Sequence, residues 1–145
     1  MTLPITKTVL VVDDDESFRV ALRELLEQRG IVVRAADDAD TAIREIDAGS
    51  IDVVFTDIRM PGGGFGVLQR VRETGMHIPV IFITGATSAE WRARANTEGA
   101  FAYLTKPVGR EEILAVLQRA FEHGRSPAEM LARPARPPRL AHAAR

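Results

Sequence analysis

The aliphatic residues Val9, Leu10, Val11 and Val12 run directly into Asp13, Asp14 and Asp15, an apolar-to-acidic step that reads as a buried strand ending at a polar edge. Beyond it Phe18, Leu22, Leu25 and Leu26 recur at helical spacing, with Arg19, Arg23, Glu24 and Glu27 between them and Gly30 where a helix stops. That pattern predicts an amphipathic helix of about fourteen residues. IVVRAA (31–36) is short and β-branched, and Asp38 is placed to cap a second helix carrying Ala42, Ile43 and Ile46 as far as Gly49. DVVFTD (52–57) is an apolar run suited to burial on both faces, followed by the turn-rich MPGGGFG and a helix with Val67, Leu68 and Val71 that ends at Gly75. PVIFITG (79–85) repeats the buried-strand pattern, and 88–98 reads as a weaker helix. FAYLT (101–105) reads as a last strand, and REEILAVLQRAFEHG as a final helix with Ile113, Leu114, Leu117 and Phe121 inward.

Strands alternating with helices predict an α/β fold with a parallel sheet and helices on both faces, because crossovers between parallel strands are long and right-handed. Ligands bind such doubly wound sheets at the carboxyl ends of the strands, where the strand order reverses. The polar residues fall there: Asp13 and Asp14 end the first strand, Asp57 the third, Thr84 the fourth and Lys106 the fifth. Carboxylates gathered at one edge without His or Cys match a hard divalent cation such as Mg²⁺, which keeps waters and accepts phosphate oxygens. A lysine and a threonine hydroxyl beside them meet the remaining needs of a phosphoryl group, and a carboxylate can serve as nucleophile to form an acyl phosphate. Each residue has a plainer reading when taken singly. Asp13 and Asp14 could cap a helix in a solvated loop, Asp57 could form a turn, Thr84 could close its strand, and an aromatic such as Tyr103 in a strand is usually core.

Composition narrows the field. The 145 residues fit one domain, and a 46% hydrophobic content is ordinary for a soluble globule. A formal charge of −1 supplies no global attraction to nucleic acid or anionic membrane. Without cysteine there is neither a disulfide framework nor a thiolate metal site. No apolar run reaches transmembrane length, and MTLPITKT lacks the basic start and apolar stretch of a secretory signal, so a cytoplasmic location is expected.

The paired acids after the first strand, D-x-R-M-P after the third, T-G-A after the fourth and K-P after the fifth together resemble the receiver domain of two-component response regulators, over residues 7 to 124. The resemblance implies a flavodoxin-like five-stranded sheet in the order 2-1-3-4-5. It implies phosphorylation of Asp57 from a sensor histidine kinase or histidine phosphotransfer protein, by chemistry that the receiver itself catalyses. It also implies Mg²⁺ held by Asp14, Asp57 and the Arg59 carbonyl, with Asp13 assisting directly or through water. Thr84 and Lys106 would bind phosphoryl oxygens, and Tyr103 would be the switch aromatic. The Lys106–Pro107 peptide would be cis, and Arg59 and Ala86 would tune the lifetime of the acyl phosphate. Asp15 is surplus to this set and is explained by its place at a helix N-terminus.

Two stretches depart from the family pattern. MPGGGFG is one residue shorter than the common loop, and its consecutive glycines make it conformationally permissive. Asn96 stands where relatives carry an apolar residue, so 88–98 is expected to be the loosest regular element, its amide needing partners if buried. Residues 125–145 form a separate segment, with four prolines and five arginines against one glutamate. It reads as disordered and is too short for a DNA-binding output domain.

Four readings of function follow. In the first, a stand-alone receiver switches the surface of the fourth helix, fifth strand and fifth helix toward a downstream protein or a second copy. In the second, it is a phosphorelay intermediate or phosphate sink. The third is a haloacid dehalogenase-like phosphatase with Asp13 as nucleophile and Asp15 as general acid; it is disfavoured because Glu111 and Glu112 lie in a helix and the chain has no room for a cap. The fourth, a degenerate receiver used only for docking, is disfavoured by the intact acid set, Thr84 and Lys106.

Overall fold

The computed structural model describes residues 6–85 and 88–123. The segment 125–145 and Ala86 lie outside the described residues. The elements run β1 (Thr8–Val12), α1 (Glu16–Glu27), β2 (Val32–Ala36), α2 (Ala39–Ala48), β3 (Val53–Thr56), α3 (Gly64–Thr74), β4 (Val80–Thr84), α4 (Ala89–Glu98), β5 (Ala102–Thr105) and α5 (Arg110–His123). All neighbouring strands pair parallel in the order β2-β1-β3-β4-β5, the doubly wound flavodoxin-like arrangement expected from the alternating pattern. Among the described residues no helix is long and apolar enough to cross a membrane.

Alternation along the strands builds two cores, one on each face of the sheet. Leu10, Val12, Val54, Val80 and Phe82 point toward α2 and α3, meeting Ala42, Ile46, Val67, Leu68 and Val71. Val9, Val11, Val53, Phe55, Ile81 and Ile83 point the other way, onto Leu22 and Leu26 of α1 and Ile113, Val116 and Leu117 of α5. The strands β1, β3 and β4 are therefore covered on both sides, which is why they read as unbroken apolar runs. On α5, Val116 and Ala120 are buried while the expected inward residues Leu114 and Phe121 are only half-buried.

The helix starts follow from their caps. The Asp15 carboxylate accepts from the Ser17 and Phe18 amides at the head of α1, and Asp38 accepts from the Thr41 amide at the head of α2. Gly75 and Gly99 close α3 and α4 in the left-handed region.

The structure places both of the stretches singled out above. Asn96 is exposed, so its amide never needed a buried partner; the single buried residue of α4 is Ala95, one position earlier. The glycine loop is held tightly. Gly62 and Gly63 take positive φ, Gly63 N donates to Met60 O at 2.8 Å and Gly64 N donates to Ile58 O at 3.0 Å. A Cβ on Gly64 would stand 2.2 Å from the Asp57 carbonyl oxygen.

Candidate functional site

The strand ladder continues one residue beyond three strand ends and thereby fixes the backbone of the site. Asp13 N donates to Ala36 O at 3.1 Å, Asp57 N to Val12 O at 2.9 Å and Lys106 N to Thr84 O at 2.8 Å. The connection leaving β1 runs outward to β2 and the one leaving β3 runs the other way to β4, so the loops after these neighbouring strands diverge and open a crevice at the carboxyl edge. Asp13, Asp14 and Asp57 each offer an oxygen to that crevice, and these oxygens lie within 4.8 Å of one another.

Lys106 reaches into the acids from the loop after β5, two strands away from β3. Its Nζ donates to Asp13 Oδ2 at 2.7 Å and to Asp57 Oδ2 at 3.2 Å. The other oxygen of each carboxylate is held by backbone: Asp13 Oδ1 accepts from the Asp15 amide at 2.9 Å, and Asp57 Oδ1 from the Ile58 and Arg59 amides at 2.6 and 3.2 Å. The Thr56 hydroxyl donates to the Asp57 carbonyl. The Lys106–Pro107 peptide is cis.

Depth differs across the cluster. The Asp13 side chain is 1% exposed and that of Lys106 21%, while Asp14 faces solvent. Burial pushes the Asp13 carboxyl above its ordinary range, although the Lys106 ammonium and the Asp15 amide pull the other way. Burial pulls the Lys106 amine down, yet its contacts with Asp13 and Asp57 outweigh this and leave it above the ordinary lysine range. The two directions are compatible: burial dominates at the deeper acid, and pairing dominates at the shallower amine. With its carboxylates ionised, the cluster exceeds the one lysine by two negative charges, its donors are all oxygen, and the exposed Asp14 opens it to solvent. That donor set fits a hard divalent cation.

Of the residues singled out in the sequence, Asp13, Asp14, Asp57 and Lys106 come together directly. Thr84 is buried at the adjoining strand end. Arg59 is exposed and meets Asp57 through its amide. Tyr103 lies toward α4: its ring meets Phe82 edge-on at 6.3 Å and lies 4.5 Å from the Arg92 guanidinium. Asp15 spends its carboxylate on the α1 cap. Sequence reading missed three participants. Arg19 Nη1 donates to the Asp13 carbonyl at 2.7 Å, Gly64 packs on the Asp57 carbonyl, and the Phe18 ring lies under Lys106 Nζ at 4.2 Å. Phe18 and Arg19 carry only the helical pattern in the sequence, one as an apolar and one as a polar position.

Comparison with known proteins follows the same lines. Residues 9–118 match the family model described as response regulator receiver domain. The DNA-binding transcriptional regulator NtrC of Proteus hauseri is 36% identical over 118 residues, which is 81% of this chain and 25% of that protein. The chain spans a quarter to about half of the length of the curated relatives it matches. A response regulator receiver domain protein from Clostridium thermocellum superposes with a TM-score of 0.73 at 32% identity, covering 80% of this chain and 94% of that one. The beryllofluoride-activated NtrC4 receiver domain dimer gives a TM-score of 0.77 at 33% identity, covering 81% of this chain and 98% of that one.

Proposed function

Because the chain belongs to the response regulator receiver domain family, we propose that it accepts a phosphoryl group on Asp57 from the phosphohistidine of a sensor histidine kinase or histidine phosphotransfer protein. The observation that carries this reading is Lys106 Nζ bridging Asp13 and Asp57, with Asp14 alongside at the same strand edge. An Asp57 carboxylate oxygen attacks phosphorus, the P–N bond breaks, and the imidazole leaves with a proton. The result is a mixed anhydride on the Asp57 side chain. Asp13, Asp14, Asp57 and the Arg59 carbonyl would hold Mg²⁺, which supplies charge neutralisation for the phosphoryl oxygens.

The protein's own groups do the rest. The Ile58 and Arg59 amides orient the Asp57 carboxylate, leaving Oδ2 toward Lys106. The Lys106 ammonium is the fixed cation that a transferred phosphoryl oxygen would meet, and Thr84 closes the adjacent strand as the hydroxyl that would approach it. Phosphorylation would bias the surface of α4, β5 and α5, through Thr84 and Tyr103, toward a downstream protein or a second copy; the activated NtrC4 receiver domain, similar to this chain, is a dimer. The cytoplasm is the compartment where such a kinase would meet it. Capping by Asp15 weighs against a phosphatase that uses Asp13 with Asp15 as general acid.

Incubation with acetyl phosphate and Mg²⁺, followed by peptide mass spectrometry, tests the reading. Label on the peptide containing Asp57, abolished by Asp57→Ala and by chelation, is the expected result. Label that persists in Asp57→Ala overturns it.

A further inference from the structure

Phe18 stands in the first turn of α1, where the Asp15 cap accepts from its amide at 3.3 Å and so fixes the direction in which the residue leaves the helix. Its ring ends under the Lys106 ammonium, with Nζ 4.2 Å from the ring centroid. Among the described residues the ammonium thus meets Asp13 Oδ2 at 2.7 Å, Asp57 Oδ2 at 3.2 Å and the face of the ring. An ammonium carries three N–H donors on a flexible stem, and two carboxylates on one side leave it free to swing toward water on the other. An aromatic face attracts the cation there through its quadrupole and excludes water. It also adds no anion, which a third carboxylate would, and so leaves the negative charge of the acids for a divalent ion and a phosphoryl group.

We propose that Phe18 is a positioning residue: its ring face holds the Lys106 ammonium at the point from which it meets Asp57 Oδ2. The inference rests on the reading of Asp57 as phosphoacceptor. A packing role would also place an aromatic here, since Phe18 lines an apolar groove between α1 and α5 with Ala21, Leu22, Leu25, Val108 and Ile113. The two roles respond differently to one change. Fluorinating the ring keeps its size and apolar character while draining the negative face, so packing survives and the hold on a cation weakens stepwise.

Phenylalanines of increasing ring fluorination are introduced at position 18 of the full chain by amber suppression, with Phe18→Tyr and Phe18→Leu beside them. Lysine occurs only at positions 7 and 106, so ¹³C-lysine labelling gives a separate side-chain signal for Lys106 and an internal control. The first readout, in metal-free protein, is the mobility of the Lys106 Cε. The second is the initial rate of labelling by acetyl phosphate with Mg²⁺. Mobility is expected to rise and the rate to fall at each fluorination step, reaching roughly three- to tenfold slower in the most fluorinated ring and in Phe18→Leu, while Phe18→Tyr stays near wild type. Mobility and rate that stay flat across the fluorinated series overturn the proposal, whatever Phe18→Leu does. If the wild type takes no label at all, the phosphoacceptor reading fails, and the mobility series alone still decides whether the ring holds the lysine.

Discussion

Removing either end of the Lys106–Asp13 contact deletes the same 2.7 Å hydrogen bond, yet the two deletions should have opposite consequences for stability. Lys106→Met leaves Asp13, 1% exposed, as a buried carboxylate facing Asp57 without a cation. Breaking a fully buried pair from one side costs about 3–5 kcal/mol. The one-fifth exposure of the lysine lets water take up part of that, so about 2 kcal/mol is expected, a fall of about 1 M or more in the urea midpoint. Asp13→Asn removes the charge whose burial is the larger cost, keeps an acceptor for the Asp15 amide, and leaves Lys106 still paired with Asp57. Its stability at pH 7 should lie within about 0.5 kcal/mol of wild type or above it. The pH dependence separates the two further. The folded Asp13 carboxyl titrates above its ordinary range, so its contribution is complete below the unfolded value and is lost as pH rises through the folded one. Asp13→Asn should therefore gain on wild type between acid and neutral pH. Lys106 pulls the Asp13 carboxyl down, so in Lys106→Met that carboxyl titrates higher still; the Lys106→Met deficit should therefore shrink as pH falls and grow as pH rises toward neutrality, the opposite trend to Asp13→Asn. Urea melts in chelator across this pH range measure both. Equal losses in the two variants at pH 7, or an Asp13→Asn difference that ignores pH, would refute the assignment of burial as the dominant cost.

Four further outcomes follow from the same geometry. Mg²⁺ should stabilise the wild type, by about 2.7 kcal/mol at one hundred times its dissociation constant, and Asp14→Asn or Asp57→Asn should weaken it at least about tenfold by titration calorimetry; equal affinity in all three proteins contradicts the carboxylate site. Gly64→Ala drives a Cβ into the Asp57 carbonyl and should cost about 2–3 kcal/mol, whereas Gly66→Ala, with open space around its Cβ, should be neutral or stabilising by up to about 1 kcal/mol; similar urea midpoints for the two would refute the close contact. Asp38 caps α2 and its carboxyl is held below the ordinary range by the Thr41 amide. Its contribution is present at neutral pH and lost as pH falls through that lowered value, so the melting-temperature gap between wild type and Asp38→Ala should close on acidification. Hydrogen exchange should find α4, with Ala95 as its one buried residue, the least protected helix among the described residues; protection equal to that of α1 would contradict this.

What the sequence disclosed and what it hid divide along a physical line. Strand ends are legible because burial on both faces demands unbroken apolar runs, and a charged residue stops such a run at once; Asp13, Asp57 and Lys106 were placed on one edge by that rule alone. Caps are legible for a similar reason, since Asp38 sits immediately before a periodic stretch and its only local use is to satisfy amides. Contacts between elements leave no such trace. Phe18 has the spacing of any core-facing helix residue, and nothing in its neighbours says that its ring meets a cation from a loop eighty-eight positions later. Asn96 is exposed because the buried face of α4 is set by its contacts with β5 and α3, and the residue those contacts bury is Ala95. In the sequence the glycine run signals freedom, yet Gly64 is a steric requirement: the missing Cβ is what lets α3 begin against the backbone of Asp57. In each case the hidden term is a distance between segments far apart in the chain. Such distances here decide how the reactive groups are aimed, while the one-dimensional pattern decides only that they share an edge.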